Sequence, residues 1–123
     1  MRGLAPMREE IAAHLAAGGK LLGICVGMHV LYEGSEESPG VPGLGLLKGR
    51  VRKLDRRPLP RIGWGDVPGA GGEFYFMHSY GVGVDFVQHG AITGVQFHPE
   101  KSGAAGLEFL RAWARGLNVR AVA

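Results

Sequence analysis

At 123 residues, with fourteen Lys and Arg against eleven Asp and Glu and a formal charge of +3, the chain has room for one domain and lacks the charge excess of a nucleic-acid-binding tail. Its 46% apolar and 20% charged residues suit a buried core and exclude a disordered segment. A single cysteine excludes an internal disulfide and a Cys-x-x-Cys metal or redox site, so Cys25 is either buried filler or a nucleophile.

In chain order, Pro6 suits a first helical turn, Met7, Ile11 and Leu15 recur at a spacing of four, and Gly18 and Gly19 form a stop. A helix over 6–17 is predicted. Lys20 to Ile24 is a short apolar run between glycines, read as a strand covered on both faces, and Val26 to Tyr32 follows as a helix. Glu33 to Pro42 is polar and rich in breakers, a surface loop. Leu46 to Leu54 alternates apolar and basic residues and predicts an antiparallel strand with one wet face. After a break at Arg56 to Pro60, the aromatic run Glu73 to Tyr80 and the stretch Ala91 to His98 predict two further strands. Ser102 then caps a helix whose Leu107, Leu110, Ala114 and Leu117 mark its apolar face. No internal repeat is found, and the pattern implies one α/β domain over 1–123 with a mixed sheet. The longest uncharged apolar run, Leu21 to Met28, is far short of the roughly 20 residues of a membrane span, and Met1 to Pro6 holds no signal-peptide core. A cytoplasmic protein is expected.

Gly23-Ile-Cys25-Val-Gly27 sets a cysteine between two glycines where a buried strand meets a helix. A nucleophile elbow has this pattern, because its strained turn leaves no room for Cβ atoms two residues either side. The helix N-terminus beyond Cys25 would favour the thiolate. In His98-Pro-Glu100, extended geometry points residues i and i+2 to one side, so Glu100 can orient the His98 ring. Nucleophile, base and orienter would make a triad. A salt bridge of no consequence is the plainer reading of that tripeptide taken alone.

Other features read plainly. The cations Arg50, Arg52, Lys53, Arg56, Arg57 and Arg61 have no aromatics among them and read as a solvated strand face or a docking patch rather than a nucleic-acid site. Gly43-Leu-Gly45-Leu-Leu-Lys48 fails the dinucleotide fingerprint at its sixth position. His14 and His89 lack metal-ligand spacing, and His78, inside an aromatic strand, reads as a satisfied core histidine. Phe74, Tyr75 and Phe76 should alternate between core and surface.

Gly-Ile-Cys25-Val-Gly-Met, Gly-Leu-Gly-Leu-Leu-Lys-Gly-Arg-Val, Ile-Gly-Trp64, Phe-Met-His-Ser79-Tyr80 and Gly-Val-Gln-Phe-His98-Pro-Glu100-Lys-Ser-Gly stand in that order. Together they resemble class I glutamine amidotransferases, and among these the glutaminase subunits of imidazole glycerol phosphate synthases. The resemblance implies an α/β layered fold of that class with a mixed sheet, here without the family's N-terminal strands and the glycine-rich loop that supplies one oxyanion donor. It implies glutamine hydrolysis through a cysteine thioester, with ammonia passed to a barrel-fold cyclase in a heterodimer that makes imidazole glycerol phosphate and an aminoimidazole carboxamide ribotide. It implies Cys25, His98 and Glu100 as the triad, Val26 as an oxyanion N–H, and Ser79 and Tyr80 against the glutamine. His29 stands at a substrate-holding position where the family usually has Gln. Trp64, Tyr75 and Lys101 fall where such subunits face the cyclase, and no cofactor, metal, nucleic acid or membrane is called for. Two other readings are a remnant that only docks on the cyclase and the glutaminase of another class I amidotransferase.

Overall fold

A computed structural model describes residues 4–116. The elements run α1 (Leu4–Ala16), β1 (Leu21–Ile24), α2 (Val26–His29), β2 (Gly34–Ser35), β3 (Arg50–Lys53), β4 (Arg61–Val67), β5 (Gly72–His78), β6 (Tyr80–Gly81), β7 (Phe86–His89) and β8 (Ile92–Val95). A 3₁₀ turn (Pro99–Lys101) and α3 (Gly103–Ala114) follow. The strands form three small sheets, ordered β1-β8-β7, β2-β3-β6 and β4-β5. In the first, β1 pairs with β8 parallel and β8 with β7 antiparallel, giving the α/β fold with a mixed sheet that the sequence implies. Among the described residues no helix is long and apolar enough to cross a membrane.

One core is aromatic. Phe74 and Phe76 on the inward face of β5 meet Phe97, Phe86 and Phe109 of α3, all within 3% of full burial. Burying each such ring contributes roughly 1.5–3 kcal/mol. The other core joins Met28, Leu31, Tyr32, Leu44, Leu47 and Val51 beneath α2. The β5 alternation follows the predicted period, with Phe74 and Phe76 buried and Tyr75 half-buried between them.

Several predicted elements shift, each for a packing reason. The strand expected over Leu46 to Leu54 contracts to β3, because Leu46 and Leu47 turn down into the core below α2 before the chain straightens. The predicted loop contains β2, which pairs with β3 in parallel. β4 carries Gly63 and Gly65, poor strand formers, and exists through its seven register pairs with β5. β7 likewise forms as the antiparallel partner of β8. The helix after Cys25 is a single turn ending at His29. On α1, Ile11 and Leu15 are half-buried but Met7 stays exposed.

At α3 the apolar face is rotated from the expected one. Phe109 and Gly106 are buried while Leu107 and Ala114 face solvent, because the Phe109 ring fills the aromatic cluster and a Cβ at Gly106 would run into the Pro99 carbonyl. Leu110 remains half-buried against the core, and Leu117 lies outside the described residues. Ser102 does occupy the N-cap position, but its hydroxyl does not cap. Its Oγ accepts the Tyr75 N–H at 2.9 Å and donates to the His98 carbonyl at 2.6 Å, tying β5 to the turn that carries His98.

The basic stretch also divides. Arg50, Arg52, Lys53, Arg56 and Arg57 are exposed, whereas Arg61 is drawn inward to a two-pronged pair with Asp85 and over the Phe76 ring.

Candidate active site

Cys25 follows the last residue of β1 with φ 52° and ψ −108°, and it is the only non-glycine with positive φ among the described residues. Such a conformation costs about 1–3 kcal/mol and persists only where its surroundings impose it. Here the Cys25 N–H donates to the Val95 carbonyl at 2.7 Å while the Met28 and His29 N–H groups both reach the Cys25 carbonyl, so the turn is held from both ends. Gly23 meets the predicted requirement, since a Cβ there would lie 2.6 Å from the Gly27 carbonyl oxygen. Gly27 does not. A Cβ there would meet nothing within 4 Å among the described residues, so local crowding does not explain that glycine.

Around the thiol lies a cleft of about 320 Å³. It brings together Cys25, Val26, His29, Ser79 and Tyr80 from the predicted site, and adds Glu37, Met77 and His78. His98 and Glu100 are joined to each other, with His98 Nδ1–H donating to Glu100 Oε2 at 2.8 Å, although Glu100 lies in the 3₁₀ turn and not on the continued extended strand that the sequence argument assumes. No hydrogen bond joins the His98 ring to the Cys25 thiol. The partners that do reach the sulfur are Gln96, whose Nε2 lies 3.5 Å from it, and the Met77 carbonyl, which accepts from the thiol at 3.9 Å.

Burial is the largest influence on Cys25 and pushes its pKa up, with the Glu100 and Glu37 charges adding to the rise. The Val26 N–H and the Gln96 amide pull it down without cancelling the burial. The expected help from a helix N-terminus is therefore outweighed, because α2 is only four residues long. His29 lines the cleft but is largely buried, and its ring Nε2 lies 2.8 Å from Gln96 Oε1. Burial lowers its pKa, opposed by the Gln96 bond and the Glu37 charge. His78 is a satisfied core histidine, with Nδ1–H donating to the Tyr80 carbonyl at 2.8 Å and burial lowering its pKa.

Gln96 is the site residue that motif reading passes over. Its signal is the strand period, since Gln96 and His98 share a face and the Ile24–Val95 register sets Gln96 beside Cys25. On the neighbouring β4-β5 hairpin, Trp64 and Tyr75 are register partners, their rings edge to face at 6.0 Å. Trp64 is 57% exposed, with Ile62 and Met77 also exposed beside the pair, and the exposed Lys101 sits in the turn beside the Tyr75 backbone. Among the described residues no three His, Cys, Asp or Glu side chains gather as metal ligands would.

No family model matches the chain. Curated relatives do. The imidazole glycerol phosphate synthase subunit HisH of Deinococcus radiodurans is 46% identical over 132 aligned residues, covering 82% of this chain and 61% of that protein. The HisH subunit of Thermococcus kodakarensis is 40% identical, covering 94% of this chain and 75% of the relative. The chain belongs to the HisH family. A third HisH subunit, from Thermus thermophilus, is 43% identical over 83% of this chain and 63% of its own length, so the chain spans roughly three fifths of the Deinococcus and Thermus relatives. A solved structure described as a glutamine amidotransferase superposes with a TM-score of 0.62, covering 87% of this chain and 68% of its own. At 21% identity it shows that this chain has the fold of that structure.

Proposed function

We propose that this chain works as the glutaminase of an imidazole glycerol phosphate synthase, releasing ammonia from glutamine for a cyclase subunit. The observation that carries the reading is the strained Cys25 elbow at the end of a parallel strand, beside the Val26 N–H. In the reaction, Cys25 Sγ attacks the carboxamide carbon of glutamine and its proton passes to His98, held by Glu100. The Val26 N–H receives the charge developing on the amide oxygen. The C–N bond then breaks, ammonia leaves with the proton returned by His98, and water cleaves the thioester to glutamate. Ser79 and Tyr80 line the same cleft and would meet the substrate, and the exposed Trp64 and half-buried Tyr75 with Lys101 would face the cyclase.

Two features favour a second reading, a module that docks on the cyclase without hydrolysing glutamine. The His98 ring makes no hydrogen bond to Cys25, and burial pushes the thiol pKa up. The test is glutamate release from glutamine by the chain mixed with a cyclase subunit. Release that disappears in Cys25→Ala supports the glutaminase, and release that survives the substitution overturns the mechanism. Binding without release supports the docking module. Exchange of cyclase for the partner of another class I amidotransferase separates the remaining alternative.

A further inference from the structure

We propose that Gln96 is a positioning residue for the Cys25 nucleophile, and that it ties the ionisation of the thiol to the protonation of His29. The inference rests on the reading of Cys25 as nucleophile, but it concerns the thiol itself and not the hydrolysis of glutamine.

Gln96 is 1% exposed, and its backbone is fixed because its N–H donates to the Asp85 carbonyl at 2.9 Å. Its side chain spans two buried groups. Nε2 lies 3.5 Å from Cys25 Sγ, and Oε1 lies 2.8 Å from His29 Nε2. An amide has one donor end and one acceptor end, so these two contacts are not independent. A thiolate has no proton to give and accepts only, which requires the amide N–H on the sulfur side. Oε1 then faces His29 and needs a proton on Nε2.

If the His29 proton sits on Nδ1 alone, Nε2 becomes an acceptor. The amide must then turn its NH₂ toward His29 and its oxygen toward sulfur, where it can accept from S–H but repels a thiolate. An imidazolium carries a proton on Nε2 and fits only the first arrangement. Protonation of His29 and ionisation of Cys25 therefore reinforce one another through an amide, with no hydrogen bond between the ring and the thiol. His29 Nδ1 is buried without a hydrogen-bond partner among the described residues, so no bond on that side dictates the tautomer. The charged and titratable groups facing the pair are Glu37 toward both the thiol and the His29 ring, Glu100 toward the sulfur, and His78, with its Arg61 and Asp85 neighbours, toward His29.

Cys25 is the chain's one cysteine, so alkylation by iodoacetamide reports on it alone. The rate constant is measured against pH on the full chain, with circular dichroism confirming the fold of each variant. Removing a hydrogen bond to a charged acceptor raises the thiol pKa by about one unit, so Gln96→Leu should slow alkylation at neutral pH about tenfold. The natural chain should also show a second step in the acidic range, where His29 titrates. His29→Gln keeps an N–H donor for Gln96 Oε1 but cannot titrate, so it should lose that step. A folded Gln96→Leu chain that reacts at the natural rate at every pH overturns the proposal, as does an acidic step that persists in His29→Gln. The second variant decides the matter if the first does not fold. Glutamine plays no part in these measurements, so a chain that fails to hydrolyse it can still pass or fail them.

Discussion

Phe97 stacks on Phe74 with ring centroids 4.1 Å apart, and this contact stands directly behind the two site residues that flank Phe97, Gln96 and His98. Phe97 also meets Phe76 and Phe109 edge to face and is fully buried, so the site is mounted on the aromatic core. Truncating a buried Phe costs about 3–5 kcal/mol through lost transfer energy and the cavity left behind. Phe97→Ala should lower the free energy of unfolding by about that amount, read from urea titration. A loss below about 1 kcal/mol would mean that the ring is not packed as described.

Ser102 provides a second link between fold and site. Its hydroxyl is the acceptor for the Tyr75 N–H and the donor to the His98 carbonyl. Ser102→Ala leaves both backbone groups without that partner, at an expected cost of about 1–3 kcal/mol in stability. Ser102→Thr keeps the hydroxyl and should recover most of it. If Ala and Thr prove equally stable by thermal unfolding, the hydroxyl has no such role.

How much of this arrangement the residues disclose in advance depends on the range of the forces involved. The Cys25 elbow is legible because its cause is local, a glycine whose absent Cβ admits the Gly27 carbonyl. The His98–Glu100 pair is equally local, two positions apart where an extended residue enters a 3₁₀ turn. By contrast β4 contains glycines that do not favour a strand and takes its form from its hairpin partner β5, as β7 does from its hairpin partner β8. The rotation of α3 comes from the fit of Phe109 among four other rings, which helical spacing does not encode. Gln96 was hidden for the same reason. Its contacts to Cys25 and His29 span 71 and 67 residues and exist only once β1 and β8 pair.

The buried titratable groups define a pH window for stability. His29 and His78 are both held below their ordinary value near 6.5 by burial. Above that pH neither the folded nor the unfolded chain protonates them and they contribute no difference. As pH falls through 6.5 the unfolded chain gains protons that the folded chain resists, so stability declines until the lowered folded values are reached. Cys25 and Tyr32 act at the other end. Burial raises both, so the unfolded chain ionises first and stability declines as pH rises past their ordinary values of 9.0 and 10.0. Urea midpoints should therefore be highest between about pH 7 and 8.5. His29→Gln should flatten the acid side, and an unchanged acid slope in that variant would exclude His29 as a cause.

Trp64 separates stability from assembly. It is 57% exposed, and its one ring contact is with Tyr75 across the hairpin. Removing an exposed side chain usually changes stability by less than about 0.5 kcal/mol, and loss of the aromatic pair adds at most about 0.5–1.5 kcal/mol. Water covers Trp64 in the isolated chain, and a cyclase docked on the β4-β5 hairpin would remove that water. Buried tryptophans at the centre of an interface commonly contribute about 2 kcal/mol or more to binding. Trp64→Ala should thus melt within a few degrees of the natural chain and bind the cyclase at least about tenfold more weakly by titration calorimetry. Equal affinity would move the docking surface off this hairpin and leave Ile62, Trp64 and Met77 as an exposed apolar face of another purpose.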